Sequence, residues 1–211
     1  MDRSRLEAFS DGVFAVAITL LALNLIVARP DRHDTLLHQL GTHWPVFVAY
    51  LISFFIIGII WVNHHALIKS IVLVDRTLLF LNLVLLLFVV VIPFSTATAA
   101  EYLPVGGADV KVAMALYSAV FLGMSAGFGL VFEWTLHGGR RAVPLPPQAH
   151  WPARLRFVGG GLVYVVAIVV SLFNADVAFI LIALTAVYYI VERTPAVPAA
   201  PGPADDSART G

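Results

Sequence analysis

Six long apolar segments constrain the fold of this chain more than any other feature of its sequence. A hydrocarbon core about 30 Å thick needs roughly 20 apolar residues for one helical crossing. The last two segments are shorter, and the polar break Asn174–Asp176 predicts a tight turn between them. The six segments are residues 8–27, 44–67, 74–97, 111–134, 156–173 and 176–191. The sequence therefore predicts an all-α integral membrane protein, a six-helix transmembrane bundle over residues 1–193 with no separate soluble domain.

Composition supports this class. Hydrophobic residues make up 60% of the chain and charged residues 12%, whereas soluble domains carry about 25% charged residues. The formal net charge is zero, so no basic field is available to attract nucleic acid. The absence of cysteine excludes disulfides, thiol catalysis and thiolate metal sites.

The positive charges are distributed unevenly between the two ends of the predicted helices. With the N-terminus inside, the outer segments contain only Arg29, Arg32 and Lys111. The inner segments contain the other ten: Arg3, Arg5, Lys69, Arg76, Arg140, Arg141, Arg154, Arg156, Arg193 and Arg209. The positive-inside rule then predicts that both termini are cytoplasmic. The Pro- and Ala-rich residues 194–211 are predicted to form a disordered cytoplasmic tail.

The first apolar segment begins with polar residues that are costly to bury. Arg5, Glu7, Ser10 and Asp11 precede a continuous apolar stretch. A carboxylate at the centre of a membrane helix costs roughly 2.5 to 3.5 kcal/mol on insertion scales, and less near an end. We therefore expect these side chains to have polar partners and a functional role, and we interpret the helix as the lining of an ion pathway.

At about 100° per residue, one stripe of the first helix contains Gly12, Val16, Thr19, Leu20 and Leu23. If this stripe faced the axis of an oligomer, it would form successive rings of side chains. Apolar rings gate by dewetting, and a hydroxyl ring replaces part of an ion's hydration shell. An ordinary helix–helix seam produces the same periodicity, so the polar start of the helix is what favours the pore hypothesis.

The second helix ends in polar aromatic residues at a matching depth. Trp61 and His65 are four residues apart and share a face, while the histidine between them is turned aside. In an alternating topology they lie level with Ser10 and Asp11. Hydroxyl, carboxylate, indole and imidazole groups can satisfy one another, so we predict a structural network that Arg5 completes. Asp11 and His65 are alternatively suited to relay protons.

Enzymatic motifs are missing from the sequence. Two metal-binding histidines at i and i+4 do not occur, and neither does a Gly-x-Ser-x-Gly elbow or a P-loop. The adjacent histidines point to different faces of a helix and cannot easily share one zinc ion. The sequence therefore predicts that the protein is not an enzyme and has no cofactor.

Two motifs resemble a known family. Arg5-x-x-x-Phe9-Ser10-Asp11-Gly12, followed by an apolar stripe with Thr19, is similar to the signature of the lysosomal-type potassium channels, the transmembrane protein 175 family, in its bacterial branch. Trp61-x-x-His64-His65-x-Leu67 is similar to that family's second-helix pattern.

The resemblance implies a six-helix subunit that forms a homotetramer around the first helix and passes potassium as a cation leak. It implies a constriction at Val16, which is smaller than the family's usual residue, followed by rings at Thr19 and Leu23. It assigns a structural role to six residues: Arg5, Phe9, Ser10, Asp11, Trp61 and His65. The partners it implies are potassium ions, the lipid bilayer and other copies of the chain, with no metal other than permeant potassium, in a bacterial-type plasma membrane.

Two alternatives to a potassium channel remain open at the level of sequence. A proton channel or secondary transporter would use Asp11 and His65 as a relay, and its flux would depend strongly on pH. A structural or scaffolding membrane protein would show no flux.

Overall fold

The computed structural model describes residues 2–23, 25 and 35–191, and within these residues the fold is all-helical. The prediction of an all-α protein is confirmed. The predicted tail at 194–211 lies outside the described residues, as does the end of the first predicted segment. The helices are α1 (Arg3–Ala22), α2 (Leu36–Thr42), α3 (Trp44–Lys69), α4 (Arg76–Tyr102), α5 (Gly107–Thr135), α6 (Pro147–Ser171) and α7 (Ala175–Val191).

Four of the described helices, α3 to α6, are long and apolar enough to cross a membrane. Helix α7 is a shorter apolar helix of 17 residues. Helix α1 spans 20 residues, but it begins with a cluster of charged side chains at Arg3, Arg5, Glu7 and Asp11. The structure thus contains the helices of a polytopic membrane protein.

Several helices begin or end away from the predicted positions. Helix α4 continues through Pro93 to Tyr102, five residues beyond the predicted segment. Proline is tolerated in membrane helices because neighbouring groups satisfy the backbone that it frees. Helix α6 begins at Pro147, nine residues earlier than predicted. Proline suits the first helical position, where its missing N–H has no partner to lose.

Helix caps explain two of the turns. Asp75 accepts a hydrogen bond from the backbone N–H of Leu78 at 2.8 Å and starts α4. Asn174 accepts one from Val177 at 3.1 Å and starts α7 directly after the turn that follows α6. An Asn or Asp side chain in this position satisfies one of the free N–H groups of the first turn.

The bundle places α1 against α3 and α4, while α5 packs between α4 and α6, and α7 packs against α6 and α3. A buried polar contact joins three of these helices. The Ser53 hydroxyl lies 2.8 Å from both the Thr96 hydroxyl and the Tyr117 hydroxyl. These groups satisfy one another inside an otherwise apolar core, which is what a low-dielectric interior requires.

The N-terminus of α1 and two loops meet at one end of the bundle. The backbone N–H of Val72 donates to Arg140 at 2.9 Å, and that of Ala142 donates to Ser70 at 2.9 Å. The Arg3 guanidinium donates to the carbonyl oxygens of Lys69 and Ile71, each at 3.2 Å. The α3–α4 and α5–α6 loops therefore lie beside the start of α1.

Helices α4 and α5 approach each other closely at Gly127. A Cβ atom at this position would lie 2.9 Å from the Cα of Leu85, a backbone atom that cannot move aside cheaply. At Gly129, two residues away, a Cβ atom would meet nothing within 4 Å. At Gly123, one helical turn before Gly127, a Cβ atom would lie against the Phe88 ring.

We expect Gly127→Ala to destabilise the protein by about 1–3 kcal/mol, because the new methyl group overpacks the α4–α5 contact. Gly129→Ala is the matched control, and should be neutral or stabilising by about 0.5–1 kcal/mol, since alanine favours the helix. Thermal unfolding of the two purified variants checks this prediction. Equal midpoints would contradict it.

Candidate functional site: the polar start of α1 and its exposed stripe

Helix α1 has two apolar faces with different surroundings. One face is buried against α3 and α4, and its residues are Leu6, Ser10, Phe14, Ala17 and Leu21. The opposite face is exposed in the single chain, with Phe9 at 50%, Val16 at 55% and Leu23 at 63% exposure. Gly12 and Thr19 are exposed on the same face. The packing of α1 therefore leaves the predicted pore stripe uncovered in the single chain.

The buried face carries a chain of hydrogen bonds between three helices. His64 Nε2 on α3 lies 2.7 Å from the side-chain oxygen of Asn82 on α4. The Asn82 amide nitrogen donates to the Ser10 hydroxyl on α1 at 3.0 Å. Ser10 in turn donates to the carbonyl oxygen of Leu6 at 2.9 Å. Because an amide oxygen only accepts, Nε2 of His64 is the protonated nitrogen in this arrangement.

The side chains of this series of hydrogen bonds are fully desolvated. The exposure of Ser10 and Asn82 is 0%, and that of His64 is 1%. The His64 ring also packs against Phe14, with ring centroids 5.4 Å apart. A buried polar group left without its partner costs about 1–3 kcal/mol, so the chain fixes the rotation of α1 about its own axis.

A second, half-exposed group of side chains lies beside the buried chain. The Trp61 indole N–H donates to the Asp11 carboxylate at 2.9 Å. His65 Nδ1 lies 2.9 Å from the carboxylate of Glu7. The rings of Trp61 and His65 are 6.0 Å apart at an interplanar angle of 33°, so the indole also positions the imidazole. These contacts join α1 to α3.

The structure arranges the predicted network differently from the sequence-based expectation. Asp11 and Trp61 are brought together, but His65 pairs with Glu7, and Ser10 bonds to α4 through Asn82. Arg5 is exposed and forms no side-chain hydrogen bond or ion pair within the described residues. Phe9 lies on the exposed face beside Val16 rather than among the polar groups.

Three residues of the site were missing from the predicted network: Glu7, His64 and Asn82. The i, i+4 spacing of Glu7 and Asp11 places both carboxylates on one face of α1, a signal present in the sequence. His64 is turned away from Trp61 as expected, and the direction in which it turns leads to a buried amide. The rotation of α4, which presents Asn82, is not encoded in any local pattern.

Thr19 is the polar residue of the exposed stripe. Its hydroxyl donates to the Val16 carbonyl oxygen at 2.9 Å on the same helix. A hydroxyl has one proton and two lone pairs, so this bond directs the proton to the helix backbone and leaves the oxygen lone pairs free to accept. The stripe is thus apolar at Val16 and Leu23 and has acceptor character between them.

Comparisons with known proteins identify the family that the chain resembles. A family model described as the endosomal/lysosomal potassium channel TMEM175 matches residues 5–93. A potassium channel of Streptomyces collinus is 40% identical over 198 residues, which cover 92% of this chain and 94% of that protein. A potassium channel of Chamaesiphon minutus is 38% identical over 63% of this chain and 65% of its own length.

A solved structure shares the fold. The crystal structure of a lysosomal potassium-selective channel TMEM175 homologue from Chamaesiphon minutus matches with a TM-score of 0.78 and 31% identity, over 89% of this chain and 96% of that one. Together these matches place the chain in the class of membrane ion channels rather than enzymes. The chain belongs to the TMEM175 family.

Animal relatives match only part of their own length. The endosomal/lysosomal proton channel TMEM175 of Gallus gallus is 34% identical over 48% of this chain, which is 22% of that protein. The mouse protein of the same description is 36% identical over 45% of this chain and 21% of its own length.

We expect Asn82→Ala to lower the free energy of unfolding by about 1–3 kcal/mol, because it leaves Ser10 and His64 without a buried partner. Thr98→Ala on the same helix is the control, since that exposed hydroxyl bonds only within its own helix. Thermal unfolding in detergent compares them. If Asn82→Ala unfolds at the temperature of Thr98→Ala, the buried chain is not a stabilising element.

Proposed function

We propose that the protein is a potassium-favouring cation leak channel, a homotetramer whose pore is lined by α1. The supporting observation is the exposed stripe of α1, which one subunit leaves uncovered although it is largely apolar. Its residues Phe9, Gly12, Val16, Thr19 and Leu23 recur at alternating spacings of three and four. This spacing suits a face that meets its own copies around an axis.

In this proposal the subunit crosses the membrane six times over residues 1–193, with both termini and the 194–211 tail in the cytoplasm. The related potassium channels of Streptomyces collinus and Chamaesiphon minutus are bacterial proteins, which supports a bacterial plasma membrane as its location. The meeting of the α1 N-terminus with the α3–α4 and α5–α6 loops at one end is what such an alternating order requires.

Selectivity in this proposal comes from constriction and partial dehydration. Val16 and Leu23 would form apolar rings that resist a fully hydrated ion, and Leu20 flanks them. Thr19 lies between these rings, and its outward lone pairs would replace some of the lost water. Its bond to the Val16 carbonyl supports this role, because the hydroxyl proton is already directed away from the cation.

Ion flux from liposomes tests the pore assignment. Reconstituted protein should pass potassium faster than sodium, and Val16→Asn should erode this preference by admitting hydrated ions to the constriction. Val169→Asn on α6 is the matched control, since Val169 is 52% exposed on a helix that contacts α5 and α7.

Two outcomes would contradict the pore assignment. Equal effects of the two substitutions would mean that Val16 does not line the pathway. An absence of flux from correctly inserted protein would favour a scaffolding function.

The half-exposed polar residues hold α1 in this proposal and do not touch the ion. Asp11→Ala removes the acceptor of the Trp61 indole, and we expect it to reduce tetramer yield several-fold in size-exclusion chromatography with light scattering. Glu101→Ala, at an exposed carboxylate near the end of α4, should leave the yield unchanged. Normal assembly of Asp11→Ala with altered ion preference would instead put Asp11 in the pathway.

A proton-conducting channel or secondary transporter is the second candidate. The animal relatives described as proton channels favour it. The proximity of Asp11 and His65 also favours it, because a carboxylate oxygen of Asp11 and a ring nitrogen of His65 lie within 4.8 Å of each other and of a Glu7 carboxylate oxygen. Proton flux that depends steeply on pH and is lost in both Asp11→Asn and His65→Gln would support this candidate.

A further inference from the structure

Three potential metal ligands from two helices converge at the start of α1. A carboxylate oxygen of Glu7, a carboxylate oxygen of Asp11 and a ring nitrogen of His65 all lie within 4.8 Å of one another. Each side chain is half-buried. The group is therefore reachable from solvent, yet its members are held by helices that are themselves packed together.

The imidazole in this group has an unusual environment. His65 Nδ1 is buried and lies 2.9 Å from the Glu7 carboxylate, but it forms no aligned hydrogen bond. A cation placed between the imidazole and the two carboxylates would satisfy all three groups at once.

The surrounding side chains resemble the second layer of a metal site. Trp61 donates to one oxygen of Asp11 at 2.9 Å, and its ring centroid lies 6.0 Å from that of the His65 ring. Hydrogen bonds to a ligating carboxylate orient it and leave its other oxygen for the metal. Arg3, one turn before Glu7, is already engaged by the carbonyl oxygens of Lys69 and Ile71.

We propose that Glu7, Asp11 and His65 bind a divalent ion of the zinc type, which clamps α1 to α3. One nitrogen and two carboxylate oxygens, with water in a fourth position, form a normal zinc ligand set. Bond lengths of about 2.0–2.2 Å allow two ligands of one ion to be at most about 4.4 Å apart. The three ligand atoms already lie within 4.8 Å of one another, so small rotations of these half-exposed side chains are enough to meet this requirement.

The ligand chemistry separates zinc from the abundant cations. Magnesium prefers octahedral oxygen coordination and keeps most of its water. Imidazole nitrogen suits zinc and neighbouring transition metals. The site should therefore discriminate strongly against Mg²⁺ and K⁺ at equal concentration.

Thermal unfolding of tag-free protein in detergent tests the proposal directly. At a hundredfold excess over its Kd, ZnCl₂ should raise the midpoint by roughly 5–10 °C, and MgCl₂ should not. Glu7→Gln and His65→Gln should each abolish most of the zinc-induced shift. Asp2→Asn, at the N-cap of α1, and His137→Gln, two residues after the end of α5, change exposed residues outside the group and should retain it.

A chelator competition titration then gives the stoichiometry, which should be one zinc per wild-type chain and none per Glu7→Gln chain. Wild-type protein whose midpoint does not respond to zinc would overturn the proposal, as would a Glu7→Gln variant with an unchanged response. If His65→Gln does not fold, Glu7→Gln alone decides. Because both measurements report binding, they are independent of whether the protein conducts ions.

Discussion

The rest of the structure depends on the hydrogen-bonded chain from His64 through Asn82 to Ser10. Hydrophobicity alone does not determine which side of α1 faces the bundle. Phe14 and Leu21 on the buried face are apolar, and so are Val16 and Leu23 on the exposed face. In a membrane, lipid tails compete equally well for apolar side chains. The Asn82 amide does discriminate between rotations of α1, because a buried amide without a hydrogen-bond partner costs about 1–3 kcal/mol.

Fixing the rotation of α1 fixes everything that projects from it. Ser10 and Asp11 are adjacent, so directing Ser10 toward α4 directs Asp11 toward Trp61 on α3. Glu7, one turn earlier, then reaches His65. The same rotation leaves Val16, Thr19 and Leu23 pointing out of the bundle. One buried contact thus positions both the polar cluster and the proposed pore face.

The sequence allowed the helices and the polar character of the site to be predicted, but not its pairings. Apolar length and caps such as Asn174 are local signals, so the helices of the described chain follow from them. Which imidazole meets which carboxylate depends on how α1, α3 and α4 rotate against each other. No local pattern encodes that rotation, and this is why the Glu7–His65 contact was not predicted and Asn82 was left outside the network. The early start of α6 was not predicted because Pro146, Pro147 and Pro152 interrupt the apolar pattern before residue 156.

The position of the titratable groups bears on what α1 could conduct. Glu7, Asp11 and His65 are gathered at one end of the helix, and no ionisable side chain follows Asp11 on α1. From Asp11 to Leu23 the helix rises about 18 Å. A relay built from side chains alone would have to cross that distance without a carrier, so proton transfer would need a continuous line of water past Val16. A constriction dry enough to strip water from an ion interrupts such a line. In the proposed pore, the stripe would therefore favour a cation that exchanges water for the Thr19 oxygens, and the carboxylates would hold the helix.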